Sequence, residues 1–287
     1  MSIEGICWIN NRIVPLEQAR ISVMDHGLLY GDGVFEGIRF YSGKAFLLSA
    51  HLHRLFASAK AIALSMPCST TELSQIIESL ISRYKDQQGY LRLIVTRGTG
   101  SLGINPALCI NPELIVIASP LQMSDEQAQS QGIRTIIAST RRIPADCLSP
   151  QIKSLNYLNA ILARIEANHA GVEEALMLNQ QGFITEGTVD NIFIVRSGAL
   201  YTPPVIDGAL AGITRKLIIE IATNAGIRTH EKTLASYDIY TADECFLSGT
   251  GAELIPVKEV DGRELAGCPG DIYKRVKQLF QDHIKAC

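Results

Sequence analysis

The chain has 287 residues, is 47% hydrophobic, and sets 26 lysines and arginines against 29 aspartates and glutamates for a net charge of −3. That length supports one large core or two modest ones, and an acidic balance without any basic run argues against a nucleic-acid partner. No apolar run approaches a membrane span, no secretory leader is visible, and the seven cysteines are scattered without a CxxC pair, so a cytoplasmic protein with free thiols is expected.

Residues 6–14 read as a strand, a turn at Asn10-Asn11 and a second strand. The run from Asp25 to Arg39 carries Gly27, Gly31, Gly33 and Gly37, which implies tight turns or close approach to another group. Val34 to Tyr41 reads as a strand, followed by a turn at Ser42-Gly43 and another strand to Leu48. Residues 50–64 are predicted helical, with Leu52, Leu55, Phe56, Ala59 and Ala63 inward and Arg54 on the other side. Ser69-Thr70-Thr71-Glu72 is a capping-box pattern opening the next helix. Tyr90 to Thr96 alternates as a strand does, and Leu114 to Ala118 reads as a short buried strand.

Residues 119–131 are polar and aperiodic, which places a linker there, a small domain over 1–118 and a large one over 132–287. Strands are predicted at 133–138, 174–178, 183–185, 191–195, 244–248 and 254–257, and helices at 213–225 and 271–285. Lys153 lies among apolar, amide and small neighbours, and Tyr157 follows at the spacing that shares one face of a helix. Leu155, Leu158, Leu162 and Ile165 continue as a helical stripe, with Gly171 as its stop. A desolvated lysine in such a place can act as a nucleophilic amine.

Gly98-Thr99-Gly100-Ser101-Leu102-Gly103 spells a dinucleotide-binding GxGxxG, but Pro106 and Pro112 follow and no βαβ unit does. An oxidoreductase is therefore a remote alternative, and a glycine-rich loop near a ligand is preferred. Gly212-Ile213-Thr214 opens the 213–225 helix, where N–H groups and a hydroxyl make an anion site.

Four segments combine: Arg54 on its helix; Lys153 with Tyr157; Thr185-Glu186-Gly187-Thr188-Val189-Asp190-Asn191; and Leu210-Ala211-Gly212-Ile213-Thr214-Arg215 with Ser248-Gly249-Thr250-Gly251-Ala252-Glu253. Together they resemble the fold-type IV pyridoxal-phosphate enzymes, in particular the branched-chain amino acid aminotransferases, from Asp25 to Val257. The resemblance implies a two-domain α+β fold, with a small α/β domain and a larger domain built on a barrel-like sheet. It also implies pyridoxal 5'-phosphate as cofactor and a homodimer or higher homo-oligomer whose second subunit completes the site.

Carried over by position, Lys153 forms the Schiff base and shuttles the proton, Tyr157 meets the phenolic oxygen, and Glu186 meets the pyridine nitrogen. Leu210 packs on the ring, while Arg54, Gly212, Ile213, Thr214 and Thr250 hold the phosphate. Tyr30 and Phe35 wall an apolar substrate pocket with Tyr157, and Gly37 leaves it room. Thr250, Gly251 and Tyr90 receive the substrate carboxylate, and Arg39 or Arg92 the distal carboxylate of 2-oxoglutarate. The implied reaction moves the amino group of L-leucine, L-isoleucine or L-valine to 2-oxoglutarate, with small amino and 2-oxo acids as partners. Two departures stand out: Arg92-Leu93 where the family often has Arg-Pro, and Gly251 where it often has Ala. Val95-Thr96-Arg97-Gly98 is shared with D-amino acid aminotransferases, so Arg97 is a further candidate carboxylate ligand. A D-amino acid aminotransferase or an aminodeoxychorismate lyase is the alternative.

Overall fold

The computed structural model describes residues 4–120 and 126–286. The chain divides into two compact units, Met1–Gln122 with Ile152–Asn156, and Met123–Gln151 with Tyr157–Cys287.

In the first unit β1 (Ile6–Ile9) and β2 (Arg12–Pro15) form a hairpin whose turn residues Asn10 and Asn11 take φ of 51° and 58°. Positive φ at both positions matches the strand twist, and asparagine tolerates it. A single turn of helix follows, α1 (His26–Tyr30), where tight turns alone are expected from sequence. The Asp25 carboxylate accepts from Gly27 N, and Gly31 ends the turn at φ 69°. Strands β3 (Gly33–Tyr41), β4 (Lys44–Ala45), β5 (Gly89–Thr96) and β6 (Glu113–Ser119) complete the sheet. Among the described residues it is six-stranded and antiparallel, in the order β2-β1-β6-β5-β3-β4.

Helices α2 (Leu48–Ala61) and α3 (Thr70–Arg83) supply the rest of this core. Val34, Ile38, Phe40, Leu91, Leu93 and Val95 from the strands pack in one cluster with Leu52, Leu55, Leu73, Ile77 and Leu80 from the helices. The capping box forms at the start of α3: Glu72 N donates to Ser69 Oγ, and Ser69 N to the Glu72 carboxylate. Such a cap stabilises a helix by about 1 kcal/mol.

The segment 152–156 belongs to this unit because its backbone is used by β3. Phe35 N donates to Lys153 O at 2.9 Å, Leu155 N donates to Gly33 O at 3.0 Å, and Val34 and Ser154 form an antiparallel bridge. An extended run cannot also be helical, so Lys153 and Tyr157 do not share a helical face. The boundary between the units falls at Gln122/Met123, within the stretch 119–131 where the linker is expected. Ser119 ends β6 and Glu126–Gln131 form helix α4, while residues 121–125 lie outside the described residues.

The second unit continues with β7 (Ile133–Ile137), α5 (Leu158–Ala170), β8 (Glu174–Leu178), β9 (Phe183–Gly187), β10 (Asn191–Arg196), β11 (Ala199–Thr202) and α6 (Ile213–Asn224). β12 (Thr229–Glu231), β13 (Leu234–Ala235), α7 (Ser236–Tyr240), β14 (Glu244–Gly249), β15 (Glu253–Val260), β16 (Arg263–Glu264) and α8 (Asp271–Ala286) follow. The ten-stranded sheet of the described residues runs β12-β11-β10-β14-β15-β7-β8-β9-β13, with β16 on β15. Leu176, Leu178, Ile184, Ile192, Ile194, Leu247, Ile255 and Val257 come from five strands yet pack in one cluster, which a curled sheet accommodates. A separate cluster joins Ala163 and Ala167 of α5 to Ala138, Ala175 and Met177, and small side chains let that helix approach closely. Among the described residues no helix is long and apolar enough to cross a membrane.

Candidate active site

Lys153 stands on the extended segment beside β3, half-buried, with its N–H donating to Ser58 Oγ at 3.2 Å. Its Nζ lies 4.5 Å from the centre of the Phe35 ring. The Arg92 guanidinium lies 4.6 Å from the same ring and 5.5 Å from that of Tyr90. The register explains this grouping. Gly37 pairs with Arg92 and Arg39 with Tyr90 across β3 and β5, so Phe35, Gly37, Tyr90 and Arg92 project from one face. A Cβ at Gly37 would overlap the Tyr90 hydroxyl, so only glycine lets that phenol lie across the strand.

The opposite face of β3 should be apolar, as Val34 and Ile38 are, but Glu36 stands between them, fully buried. Its carboxylate accepts from Arg54 Nε at 2.6 Å and Nη2 at 2.9 Å, from His51 Nδ1 at 2.8 Å and from Gly37 N at 3.2 Å. Burial alone pushes the Glu36 carboxyl up, but hydrogen bonds from His51 and Arg54 and their charges outweigh it and hold the group at about 2. Burial pushes His51 down, against the pull of Glu36 and with help from the Arg54 and Lys153 charges. The ionised Glu36 carboxylate can only accept, so His51 donates through Nδ1.

Other expected substrate residues have different surroundings. Arg97 donates from Nε and Nη2 to the two Asp32 oxygens at 2.9 Å each, and to the Ile62 and Ala63 carbonyls at 2.8 and 2.7 Å. A guanidinium held in this way ties β5 to the end of α2, which removes it as a carboxylate ligand. Arg39 is buried, its guanidinium 4.8 Å from the Tyr41 ring. The Tyr30 hydroxyl accepts from Gly103 N at 2.9 Å and so anchors the glycine-rich loop. That loop takes Gly98 at φ 86°, bridges through Thr99 to Asp25 and Ile110, and leads through one short 3-10 turn (Pro106–Leu108) to the antiparallel β6 without opening an α-helix. The dinucleotide reading fails on this geometry.

In the second unit Glu186 on β9 is 5% exposed. Arg142 Nη2 lies 2.6 Å from its Oε1, and Leu210 N donates to its Oε2 at 2.9 Å. Tyr157 occupies the N-cap of α5. Asn191 Nδ2 donates to Leu210 O at 3.0 Å, and the same residue stands opposite Ser248 in the β10–β14 ladder, so its side chain and its strand position tie the turn before α6 to β14. Gly212 is the N-cap of α6, and no side chain caps that helix. A Cβ on Gly212 would overlap Asn191 Oδ1 and so displace the amide that bonds Leu210 O. Thr214 is buried in the first helical turn, and Ser248 Oγ is buried without a hydrogen-bond partner.

Four residues with direct parts in these arrangements are given no such part by the sequence: Glu36 and Arg142, His51, whose spacing from His53 speaks only against a shared metal, and Asn191, which is legible only as one member of the 185–191 segment. Glu36 had a visible signal, since a carboxylate breaks the apolar alternation Val34, Ile38, Phe40. Arg142 sits in an aperiodic stretch and gave none.

A family model described as amino-transferase class IV matches residues 33–260. The chain is 46% identical over 276 residues to a Methanocaldococcus jannaschii protein provisionally named a branched-chain-amino-acid aminotransferase, covering 96% of this chain and 95% of that one. The branched-chain-amino-acid aminotransferase of Escherichia coli K12 is 36% identical over 280 residues, 95% of this chain and 91% of the other. Among solved structures, a branched-chain amino acid aminotransferase complexed with N-(5'-phosphopyridoxyl)-L-glutamate superposes with a TM-score of 0.92 at 33% identity, covering 99% and 95% of the two chains. The branched-chain aminotransferase of the thermophilic archaeon Thermoproteus uzoniensis, solved with norvaline, superposes with a TM-score of 0.91 at 35% identity, covering 97% and 94%. Matches of this length and identity, on a chain that also shares the fold, establish that it belongs to the class IV aminotransferase family of fold-type IV enzymes.

Proposed function

We propose that the chain transfers the amino group of branched-chain L-amino acids to 2-oxoglutarate with pyridoxal 5'-phosphate as cofactor. The observation that carries this reading is the cluster on one face of β3 and β5. There an amine (Lys153) and a guanidinium (Arg92) both lie against the Phe35 ring, with Tyr90 beside them. An aromatic wall suits an aliphatic side chain, and a guanidinium suits the distal carboxylate of the acceptor. The names of the relatives agree with it.

The residues fit the cofactor. An uncapped start of a twelve-residue helix, the Thr214 hydroxyl and the unpartnered Ser248 hydroxyl suit a dianionic phosphate. When bound, the cofactor's protonated ring serves as an electron sink for charge developing on the substrate α-carbon. Lys153 would supply the amine for the cofactor aldehyde and move the α-proton. Glu186 would accept from the ring N–H, its carboxylate held in place by Arg142. Tyr157 would meet the ring oxygen and Leu210 pack on the ring. The Ile213 and Thr214 amides behind Gly212, Thr250 and, by the resemblance, Arg54 would hold the phosphate. Tyr90, Thr250 and the Gly251 N–H would receive the α-carboxylate, Gly37 leaves room for Tyr90, and Arg92 or Arg39 would take the distal carboxylate.

A donor panel tests the reading. With 2-oxoglutarate as acceptor, L-leucine, L-isoleucine and L-valine are expected to turn over at rates within about a hundredfold of one another, because one methylene is worth only about 1–3 kcal/mol in an apolar pocket. D-alanine and aminodeoxychorismate are expected to be inert. Turnover of D-alanine without any of the three L-donors would reassign the enzyme.

The working form is a homo-oligomer built on a dimer. Its support is the outward stripe of α5, where Leu158, Ile161, Leu162 and Ile165 are 67%, 51%, 46% and 41% exposed while the alanines face inward. A stripe of this kind on an enzyme surface marks a contact region. Light scattering is expected to give at least twice the chain mass, and Ile161→Glu with Leu162→Glu to lower it. A monomeric wild type defeats the idea.

A further inference from the structure

We propose that Glu36 and His51 are positioning residues that aim the Arg54 guanidinium at the cofactor phosphate. The proposal rests on the reading of Arg54 as a phosphate ligand. Arg54 gives the edge formed by Nε and Nη2 to the two Glu36 oxygens, at 2.6 and 2.9 Å. A guanidinium is planar and rigid, so fixing one edge fixes the direction in which its remaining donors point. Glu36 itself has no room to swing. It is wholly buried, and its Oε2 also accepts from Gly37 N at 3.2 Å and His51 Nδ1 at 2.8 Å. His51, 2% exposed, sits three residues before Arg54 on α2, on the adjacent turn. Backbone, imidazole and guanidinium thus lock one carboxylate from three directions.

Stability alone does not explain the carboxylate. Its strand neighbours on that face are Val34 and Ile38, and an apolar side chain there would avoid burying a charge. Nor does simple attraction explain it. Glu36 offsets the Arg54 charge, and an uncompensated arginine would draw a dianion more strongly. The two accounts therefore predict opposite signs. If Glu36 is only a counter-charge, removing its charge tightens phosphate binding; if it sets the direction of the fork, removing it loosens binding.

The full-length enzyme, freed of cofactor, is titrated in parallel with pyridoxal 5'-phosphate and with pyridoxal, and the ratio of the two affinities isolates the phosphate contribution. Glu36→Gln is expected to lower that ratio roughly ten- to hundredfold, the scale of a charge-assisted hydrogen bond, with pyridoxal affinity within about twofold of wild type. Should Glu36→Gln fail to fold, Glu36→Asp, which keeps the charge but withdraws it by one methylene, is expected to show the same fall. His51→Asn retains a donor near the Nδ1 position and is expected to restore most of the ratio that His51→Leu loses. Arg54→Gln separates the two layers of the argument. An unchanged ratio in Arg54→Gln means Arg54 is not a phosphate ligand, and the underlying reading falls. A collapsed ratio in Arg54→Gln beside an unchanged or raised one in Glu36→Gln leaves that reading intact and overturns the positioning role.

Discussion

Lys153→Ala is expected to lower kcat for L-leucine by at least about four orders of magnitude, because it removes both the amine that takes up the cofactor and the base that moves the α-proton. The fold should survive the change. The segment is held to β3 by backbone bonds, Lys153 O to Phe35 N and Leu155 N to Gly33 O, and Lys153 N is held by Ser58 Oγ. Alanine keeps all of these. The lysine is only half-buried, so truncation opens a space that solvent can fill rather than a sealed cavity, and a change in Tm of a few degrees at most is expected. The space vacated next to Phe35 admits a small amine, and methylamine is expected to restore part of the activity in proportion to its uncharged fraction. An alanine variant that keeps more than a few per cent of wild-type turnover, with no response to added amine, would show that the reacting amine lies elsewhere.

Where local chemistry decides structure, the sequence was legible. The Asn10-Asn11 turn, the Ser69–Glu72 cap and the alternation of Leu91, Leu93 and Val95 each depend on residues close along the chain, and each forms as expected. Legibility failed where a distant partner takes over. The run after Lys153 spells a helix, yet β3 captures its backbone before the helix begins. On α5 the large residues of the predicted stripe stay exposed while Ala160, Ala163 and Ala167 are buried, a choice set by how closely the helix approaches Ala138, Ala175 and Met177 rather than by periodicity. The same holds at the candidate site. Lys153, Arg54 and Glu186 stand out by resemblance, but the groups that hold them do not. Glu36 lies 18 residues from Arg54, and Arg142 lies 44 from Glu186, so only the folded chain discloses the pairings. Arg97 shows the converse: a cation in a suggestive spelling proves to be a tie between Asp32 and the end of α2.

Glu186→Gln is expected to reduce kcat by roughly a hundredfold or more while cofactor remains bound, because the neutral amide no longer favours a proton on the ring nitrogen. The local geometry adds a second, separable cost. In the wild type one carboxylate oxygen faces Arg142 and the other accepts from Leu210 N. Glutamine has a single oxygen. It satisfies Arg142 or Leu210, and the other donor then faces an amide N–H, at a cost of about 1–3 kcal/mol in stability. A fall in turnover could therefore arise from a disturbed 210–214 turn as well as from the lost charge. A cofactor analogue with carbon in place of the ring nitrogen separates the two. If Glu186 acts through that nitrogen, the analogue slows the wild type severely but costs the Gln variant little more, and the two changes are strongly non-additive. If the Gln variant acts only by disturbing Leu210, the two penalties multiply. Multiplying penalties, or wild-type turnover by the Gln variant with the natural cofactor, would remove the ring contact from Glu186 and leave it as the anchor between Arg142 and the turn that leads into α6.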